Sequence, residues 1–202
     1  MTIDDIMRAA PVIPVLVLDG AIDPAALSET LVDVGLPVIE VTLRTPGALD
    51  AIRAMAAVPG AIVGAGTVLN EVQLAQAIDA GSRFIVSPGL THPLAMAARD
   101  TGIPFLPGVA SASDIMRGLD LGLDRFKFFP AESSGGIAAL KALSGPFGSV
   151  RFCPTGGIKA ETASDWLALE AVLCVGGSWI VRPGETDLAA VAERARHATV
   201  LA

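Results

Sequence analysis

Only two cysteines, Cys153 and Cys174, occur in 202 residues, and both fall inside apolar, strand-like runs. That scarcity excludes a disulfide framework and fits a reducing compartment, so a cytoplasmic location is expected. Basic residues are few as well: 14 Lys and Arg are outnumbered by 21 Asp and Glu, and they form no basic run. A chain with a formal net charge of −7 lacks the electrostatic footprint of a nucleic-acid binder. The two histidines, His92 and His197, are not at ligand spacing, and no carboxylate cluster marks the strand ends, so neither a metal nor another cofactor is expected. No window approaches the roughly 18 to 20 uninterrupted apolar residues of a membrane helix. The opening MTIDDIMRAAPVIPVLVLDG sets Asp4 and Asp5 against one Arg8 and is interrupted by Pro11 and Pro14, so it reads as neither signal peptide nor membrane span.

What is present is apolar substance, 52% of the residues against 17% charged, which is ample for a core and excludes disorder. A single domain spanning 1–202 is expected. Short β-branched or apolar runs alternate with Ala- and Leu-rich amphipathic stretches. Strands are predicted at Val12–Val17, Val38–Leu43, Ile62–Thr67, Phe84–Ser87, Pro104–Leu106, Arg125–Phe129, Arg151–Thr155 and Val172–Val175. Helices are predicted at Pro24–Val34, Gly47–Ala57, Glu71–Ala80, Pro93–Asp100, Ser113–Leu121, Ile137–Leu143, Glu161–Leu169 and Asp187–His197, with Asn70, Ser113 and Asp187 as N-caps and a short leading helix at Ile3–Ala9. Eight βα units in succession point to an α/β fold of the (β/α)8 TIM-barrel type. An open doubly wound sheet shares the alternation. The count of eight and the polar–apolar alternation inside strands favour the barrel, since central strands of an open sheet read as continuous apolar runs. Pro14 is awkward in a strand paired on both sides and predicts a local bulge.

Polar residues inside those strands are the chemical signal. In V-I-E-V-T-L-R, Glu40, Thr42 and Arg44 share one face and Ile39, Val41 and Leu43 the other, so an outward apolar face turns the carboxylate into the barrel. The plain alternative, an edge strand with a solvated face, loses its basis where every strand is covered. In R-F-K-F-F-P, Lys127 lies between Phe126 and Phe128, in phase with Phe129 and near the strand's C-terminal end, the catalytic face of such barrels. Only three lysines occur; Lys141 and Lys159 fall on or beside helices and read as solvated residues. A lysine becomes a nucleophile when neutral, apolar neighbours favour that form, and a neutral amine attacks a carbonyl to form an imine; a nearby Glu40 opposes the shift. C-P-T-G-G-I (153–158) and V-G-G-S-W (175–179) place double glycines at the ends of strands seven and eight, a recurring phosphate site. G-A-G-T at Gly64–Thr67 is half of a dinucleotide fingerprint, but Leu69 stands where the last glycine belongs, so a Rossmann site is discounted.

The segments V-I-E-V-T-L-R-T (38–45), V-G-A-G-T-V-L (63–69), S-P-G (87–89), F-K-F-F-P-A-E (126–132), R-F-C-P-T-G-G-I (151–158) and V-G-G-S-W (175–179) closely resemble the KHG/KDPG aldolase family, in the same order over nearly the whole chain. The resemblance implies a (β/α)8 barrel, usually a homotrimer. It also implies reversible cleavage of a six-carbon keto-acid phosphate, 2-dehydro-3-deoxy-6-phospho-D-gluconate, into pyruvate and D-glyceraldehyde 3-phosphate, with 4-hydroxy-2-oxoglutarate as a further substrate. By the same resemblance Lys127 is the Schiff-base lysine and Glu40 the general acid/base; Arg44 and Thr67 hold the pyruvate carboxylate, with Pro88 and Phe129 lining that end; Thr155 touches the substrate backbone; and Gly156, Gly157, Gly177 and Ser178 bind phosphate. The sister enzymes for the galactonate epimer resemble this chain too, but tend to carry an aliphatic residue at the position of Thr155, which favours the gluconate substrate. Ser133 and Ser134 depart from the Ala-Asn usual in that family before the Gly135–Gly136 pair, and the segment 181–187 is shorter than usual. Two rivals remain at this point: a metal-free sugar-phosphate isomerase or epimerase, which leaves the lysine unexplained, and a non-catalytic sugar-phosphate-binding barrel, which needs neither Glu40 nor Lys127.

Overall fold

The computed structural model describes residues 1–201. The order is α1 (Ile3–Arg8), β1 (Val12–Leu16), α2 (Pro24–Asp33), β2 (Val38–Thr42), α3 (Ala48–Ala56), β3 (Ile62–Gly66), α4 (Glu71–Asp79), β4 (Phe84–Val86) and α5 (His92–Thr101). There follow β5 (Phe105–Leu106), β6 (Gly108–Val109), α6 (Ala112–Asp120), β7 (Arg125–Phe128), α7 (Gly136–Ser144), β8 (Arg151–Pro154), α8 (Ala163–Leu167), β9 (Val175–Gly177) and α9 (Leu188–Thr199). The fold is α/β with parallel strands throughout, as a chain of βα units requires. One sheet has the order β5-β4-β3-β2-β1-β9 and a second the order β6-β7-β8. Single parallel bridges, Phe152 to Val172 and Thr155 to Gly176, link β8 to the chain that forms β9.

Most predicted elements stand within one or two residues of their observed limits, and the exceptions have identifiable causes. The fifth strand divides into β5 and β6 because Pro107, between them, has no N–H for a ladder. Its carbonyl still accepts from the Lys127 amide at 2.9 Å. Among the described residues the strands are thus nine, distributed over two sheets. The last strand lies at Val175–Gly177, not Val172–Val175: Gly176 and Gly177 pair with Ile13 and Pro14, which draws the double glycine into the sheet. That ladder runs from Val12 to Pro14 without an inserted residue, so the bulge predicted at Pro14 is absent. α6 is capped by Ser111, not Ser113, because Ser111 and Asp114 form a reciprocal capping box. α8 begins at Ala163, two residues late, since the Thr162 hydroxyl is engaged with the backbone of Lys159.

Two apolar clusters show how the alternation is used. The larger packs outward-facing strand residues such as Ile39, Val41, Phe126 and Phe128 against the helices. The smaller gathers Ile13, Val38, Phe84, Val86, Leu106, Cys153 and Cys174 from the opposite strand face, with Ile6 and Met7 of α1 completing it. Val38 and Phe84 are the first residues of β2 and β4, so α1 sits at the N-terminal ends of the strands, and the residues two positions further on, Glu40 among them, lie toward the C-terminal ends. β3 makes room for this interior. A Cβ at Gly64 would overlap the Phe84 ring and one at Gly66 would overlap the Glu40 side chain, which is the physical use of G-A-G here.

α1 is tied down electrostatically. Asp4 accepts from Arg125 Nε at 2.5 Å and Arg8 Nε at 2.7 Å, and these two guanidinium bonds, Arg125's first, hold its carboxyl below the ordinary value of 3.8. A depressed carboxyl contributes its stabilisation above its unfolded pKa and loses it as pH falls through the lower folded one. Asp4→Asn is therefore expected to lower the melting temperature at pH 7 by about 2–4 °C, corresponding to about 1 kcal/mol for a partly exposed pair. Thermal melts across pH should show the difference narrowing below pH 3.8; equal melting temperatures at pH 7 would remove this anchoring role.

Candidate active site

Lys127 occupies the third position of β7 and Glu40 the third of β2, with relative exposures of 5% and 3%. Lys127 Nζ donates to Glu40 Oε1 at 2.9 Å and Oε2 at 3.2 Å, a pairing between residues 87 apart in the chain. Phe129 lies beside it, its ring centroid 5.4 Å from Nζ. Phe126 and Phe128, by contrast, face the helices: Phe126 packs on Phe152 with ring centroids 6.4 Å apart, and Phe128 on Trp166 at 6.3 Å. The expected apolar flank of the lysine is thus corrected. Residues adjacent along a strand point away from each other, and what meets the amine is the carboxylate.

The neighbouring strand adds thiol and hydroxyl. Cys153 stands in register with Lys127, and its Sγ lies 3.8 Å from Thr155 Oγ1. Thr155 is buried at the end of β8, where a Cβ on Gly176 would overlap its hydroxyl. Cys153 and Cys174 are both buried and free. The hydrogen bond to Cys153, together with burial, pushes the Cys174 thiol well above its ordinary range. The same hydrogen bond acts in the opposite direction on Cys153 and holds its thiol below the ordinary value in spite of burial.

Arg44, Thr67 and Pro88 sit beyond the strand ends. Arg44 follows β2 and is exposed, whereas Glu40 and Thr42 in the same alternation are buried. Thr42 spends its hydroxyl on the Leu16 carbonyl at 2.9 Å and so ties β1 to β2. Arg44 Nε donates to Thr67 Oγ1 at 3.3 Å, which unites two residues 23 apart. Thr67 has φ 59°, and among the described residues only it and glycines adopt the left-handed region. For a β-branched side chain that is strained, on the order of 1–3 kcal/mol, and such strain persists where surrounding structure enforces it. Pro88 follows β4 with its carbonyl packed on Gly108, whose missing Cβ makes that approach possible.

The two double glycines, alike in sequence, differ in backbone. Gly156 and Gly157 turn in the left-handed region, with φ 104° and 83°, and neither amide donates to another protein atom among the described residues. That is the form a backbone anion site takes. Gly177 is a buried, extended strand residue, which corrects its placement in a loop, while Ser178 just after it is exposed. The sequence reading gave no role to Glu132, although it ends the F-K-F-F-P-A-E motif; its carboxylate accepts from Trp166 Nε1 at 3.2 Å. A surface groove of about 660 Å³ runs along α9 past Lys159, Trp179, Arg182 and His197. It contains neither Lys127 nor Glu40, so chemistry and not volume marks the site. Among the described residues no three His, Cys, Asp or Glu side chains converge as metal ligands.

Comparison with known proteins places this geometry. The model of the "KDPG and KHG aldolase" family matches residues 3–194. The 2-dehydro-3-deoxy-phosphogluconate aldolase of Zymomonas mobilis is 55% identical over 197 residues, covering 98% of this chain and 95% of that protein. A crystal structure of the Zymomonas mobilis enzyme with 3-phosphoglycerate superposes with a TM-score of 0.97 at 55% identity, covering 99% of this chain and 96% of the other. The KDPG aldolase of Legionella pneumophila, solved with pyruvate captured as a covalent carbinolamine, gives a TM-score of 0.95 at 42% identity, with 98% of both chains covered. With a family match running almost from end to end and relatives above half identity, the chain belongs to the KDPG and KHG aldolase family.

Proposed function

We propose that this protein is a class I aldolase that cleaves 2-dehydro-3-deoxy-6-phospho-D-gluconate reversibly into pyruvate and D-glyceraldehyde 3-phosphate. The observation that carries the reading is the buried, direct Lys127–Glu40 hydrogen bond, a nucleophile and a proton acceptor in contact. The Legionella relative, captured with pyruvate as a carbinolamine, supports the same chemistry. An isomerase or a binding barrel would give no reason to bury this pair.

The chemistry follows from moving one proton along that bond. Transfer from Nζ to Glu40 leaves a neutral amine, which attacks the C2 ketone. The resulting carbinolamine loses water as Glu40 returns the proton, and the iminium becomes the electron sink. Glu40 then takes the C4 hydroxyl proton, through a water where the distance requires it; C3–C4 breaks, the aldehyde phosphate departs, and the bonding electrons remain as an enamine on the pyruvate half. Glu40 protonates C3, and hydrolysis of the iminium frees pyruvate and Lys127. Arg44, oriented by the Thr67 hydroxyl, faces the pyruvate carboxylate, with Pro88 and Phe129 as apolar walls. Thr155 meets the hydroxylated backbone, consistent with the gluconate over the galactonate epimer, and 4-hydroxy-2-oxoglutarate is a second substrate. The free amides of Gly156 and Gly157 and the Ser178 hydroxyl take the phosphate, with Gly177, whose missing Cβ makes room for Trp179 and Val12, setting the strand end from which Ser178 projects.

The finer architecture belongs to the same reading. Residues 1–202 form one domain in which the two sheets close as a (β/α)8 barrel; the interior cluster under α1 and the β8–β9 bridges support closure. The working unit is a cytoplasmic homotrimer, and the exposed Leu69, Val72 and Met116 offer apolar surface for assembly to cover.

Incubation with pyruvate and borohydride should leave a stable adduct that peptide mapping places on Lys127; protein unmodified there would sink the imine mechanism. Glu40→Gln should slow deuterium exchange at the pyruvate methyl group by about 10²–10⁴-fold while imine trapping continues at reduced rate. Exchange at the wild-type rate would remove Glu40 from its role. Gly66→Ala, whose methyl would overlap Glu40, should reduce the same exchange about 10²-fold by displacing the carboxylate, in protein that still melts cooperatively. Unaltered exchange would show that Glu40 has latitude the packing denies it.

A further inference from the structure

We propose that Glu132 is a positioning residue that fixes the Gly156–Gly157 turn for the phosphate end of the substrate, an inference that rests on the phosphate role just proposed for that turn. The segment after β7 and the turn after β8 are bound to each other at successive residues. The Ala131 amide donates to the Thr155 carbonyl at 2.8 Å and the Glu132 amide to the Gly156 carbonyl at 3.0 Å. With their carbonyls engaged, the peptide planes of the turn hold their orientation, and the Gly156 and Gly157 amides stay open to a ligand. Side-chain packing adds a second constraint: a Cβ at Gly157 would come within 2.7 Å of both Cβ and Cγ of Glu132. The double glycine is therefore required twice, by its left-handed backbone and by the closeness of the glutamate stem.

The carboxylate supplies the third point. Trp166, fully buried on α8, donates its indole N–H to Glu132 Oε1 at 3.2 Å. A buried indole N–H needs an acceptor, and a residue otherwise exposed to solvent reaches inward to provide it. Glu132 thereby links β7, which carries Lys127, to α8, which follows the phosphate turn, so the reacting amine and the anion site share one clamp. A carboxylate beside an anion site is electrostatically unfavourable on its own. Its presence here is explained by the indole it serves, and any residue able to accept that bond and fill the stem's space should serve as well.

Glu132→Ala and Glu132→Gln are compared in the condensation of pyruvate with glyceraldehyde 3-phosphate and with unphosphorylated glyceraldehyde. Loss of one part-buried hydrogen bond and of the stem's packing should raise the KM for the phosphorylated aldehyde about tenfold in Glu132→Ala. The KM for glyceraldehyde and borohydride trapping of pyruvate at Lys127 should stay within twofold of wild type. Glu132→Gln, which keeps an oxygen for the indole, should restore the phosphorylated KM, and Trp166→Phe should reproduce the alanine variant without adding to it. A parallel rise for both aldehydes, or no rise for either, overturns the proposal. Should the wild-type protein fail to trap pyruvate, the functional reading falls separately, and titration with inorganic phosphate then decides. About tenfold weaker binding to Glu132→Ala, restored in Glu132→Gln, supports the clamp, and equal affinities overturn it.

Discussion

A lysine and a glutamate held almost entirely out of water must compensate each other's charge, and the interior is arranged around that requirement. Desolvating either group alone costs several kcal/mol, on the order of what a whole domain has to spare. The Nζ–Oε1 bond at 2.9 Å is therefore the condition under which both can sit on inward strand faces. Its consequences spread outward. β3 carries glycine at 66 because the Glu40 side chain needs that volume, and the layer below is apolar, closed by Ile6 and Met7, which leaves the polar pair on the side of the strand C-termini. In the proposed mechanism a pair that is unfavourable to bury is of use because its attraction can be redirected: the proton that stabilises the ion pair is the one the chemistry would move.

Around this centre the loops supply orientation. Thr67 is forced into a left-handed backbone and in that geometry offers its hydroxyl to Arg44, so the guanidinium is presented by a strained residue and not by a flexible stem alone. On the opposite side Gly156 and Gly157 make a turn in which the Thr155 and Gly156 carbonyls are bound and the two glycine amides are open. Under the proposed assignment one end of the site takes a carboxylate and the other a phosphate. Such a division would let a chain of net charge −7 attract an anionic substrate by local donors and not by its overall field.

Much of this was legible in the letters. V-I-E-V-T placed Glu40 and Thr42 on the face opposite Ile39 and Val41, and both polar side chains are buried, since a two-residue period survives in any covered strand. Arg44 continues the same period yet is exposed, because the alternation in sequence outlasts the strand, which ends at Thr42. In R-F-K-F-F-P the two-residue period puts Lys127 in phase with Phe129, whose ring lies beside the amine, whereas Phe126 and Phe128, nearest in sequence, point the other way, toward the helices. The split of the fifth strand needed only Pro107 to be weighed as a missing donor. The displacement of the last strand could not be read locally, because it depends on Gly176 and Gly177 finding Ile13 and Pro14 at the other end of the chain.

By itself the sequence determined the α/β alternation, the inward phase of Glu40 and Lys127, the turns that only glycine can make and the motifs that carry the family, since each depends on contacts within a few residues or on a fixed strand period. The tertiary structure alone decided which carboxylate meets which amine across 87 residues, which of two identical Gly-Gly pairs becomes a turn and which a strand, and that Glu132 reaches the indole of Trp166. Those outcomes are settled by which strands lie side by side and how deeply a side chain is buried, and pairing and burial are properties of the folded chain rather than of any window along it.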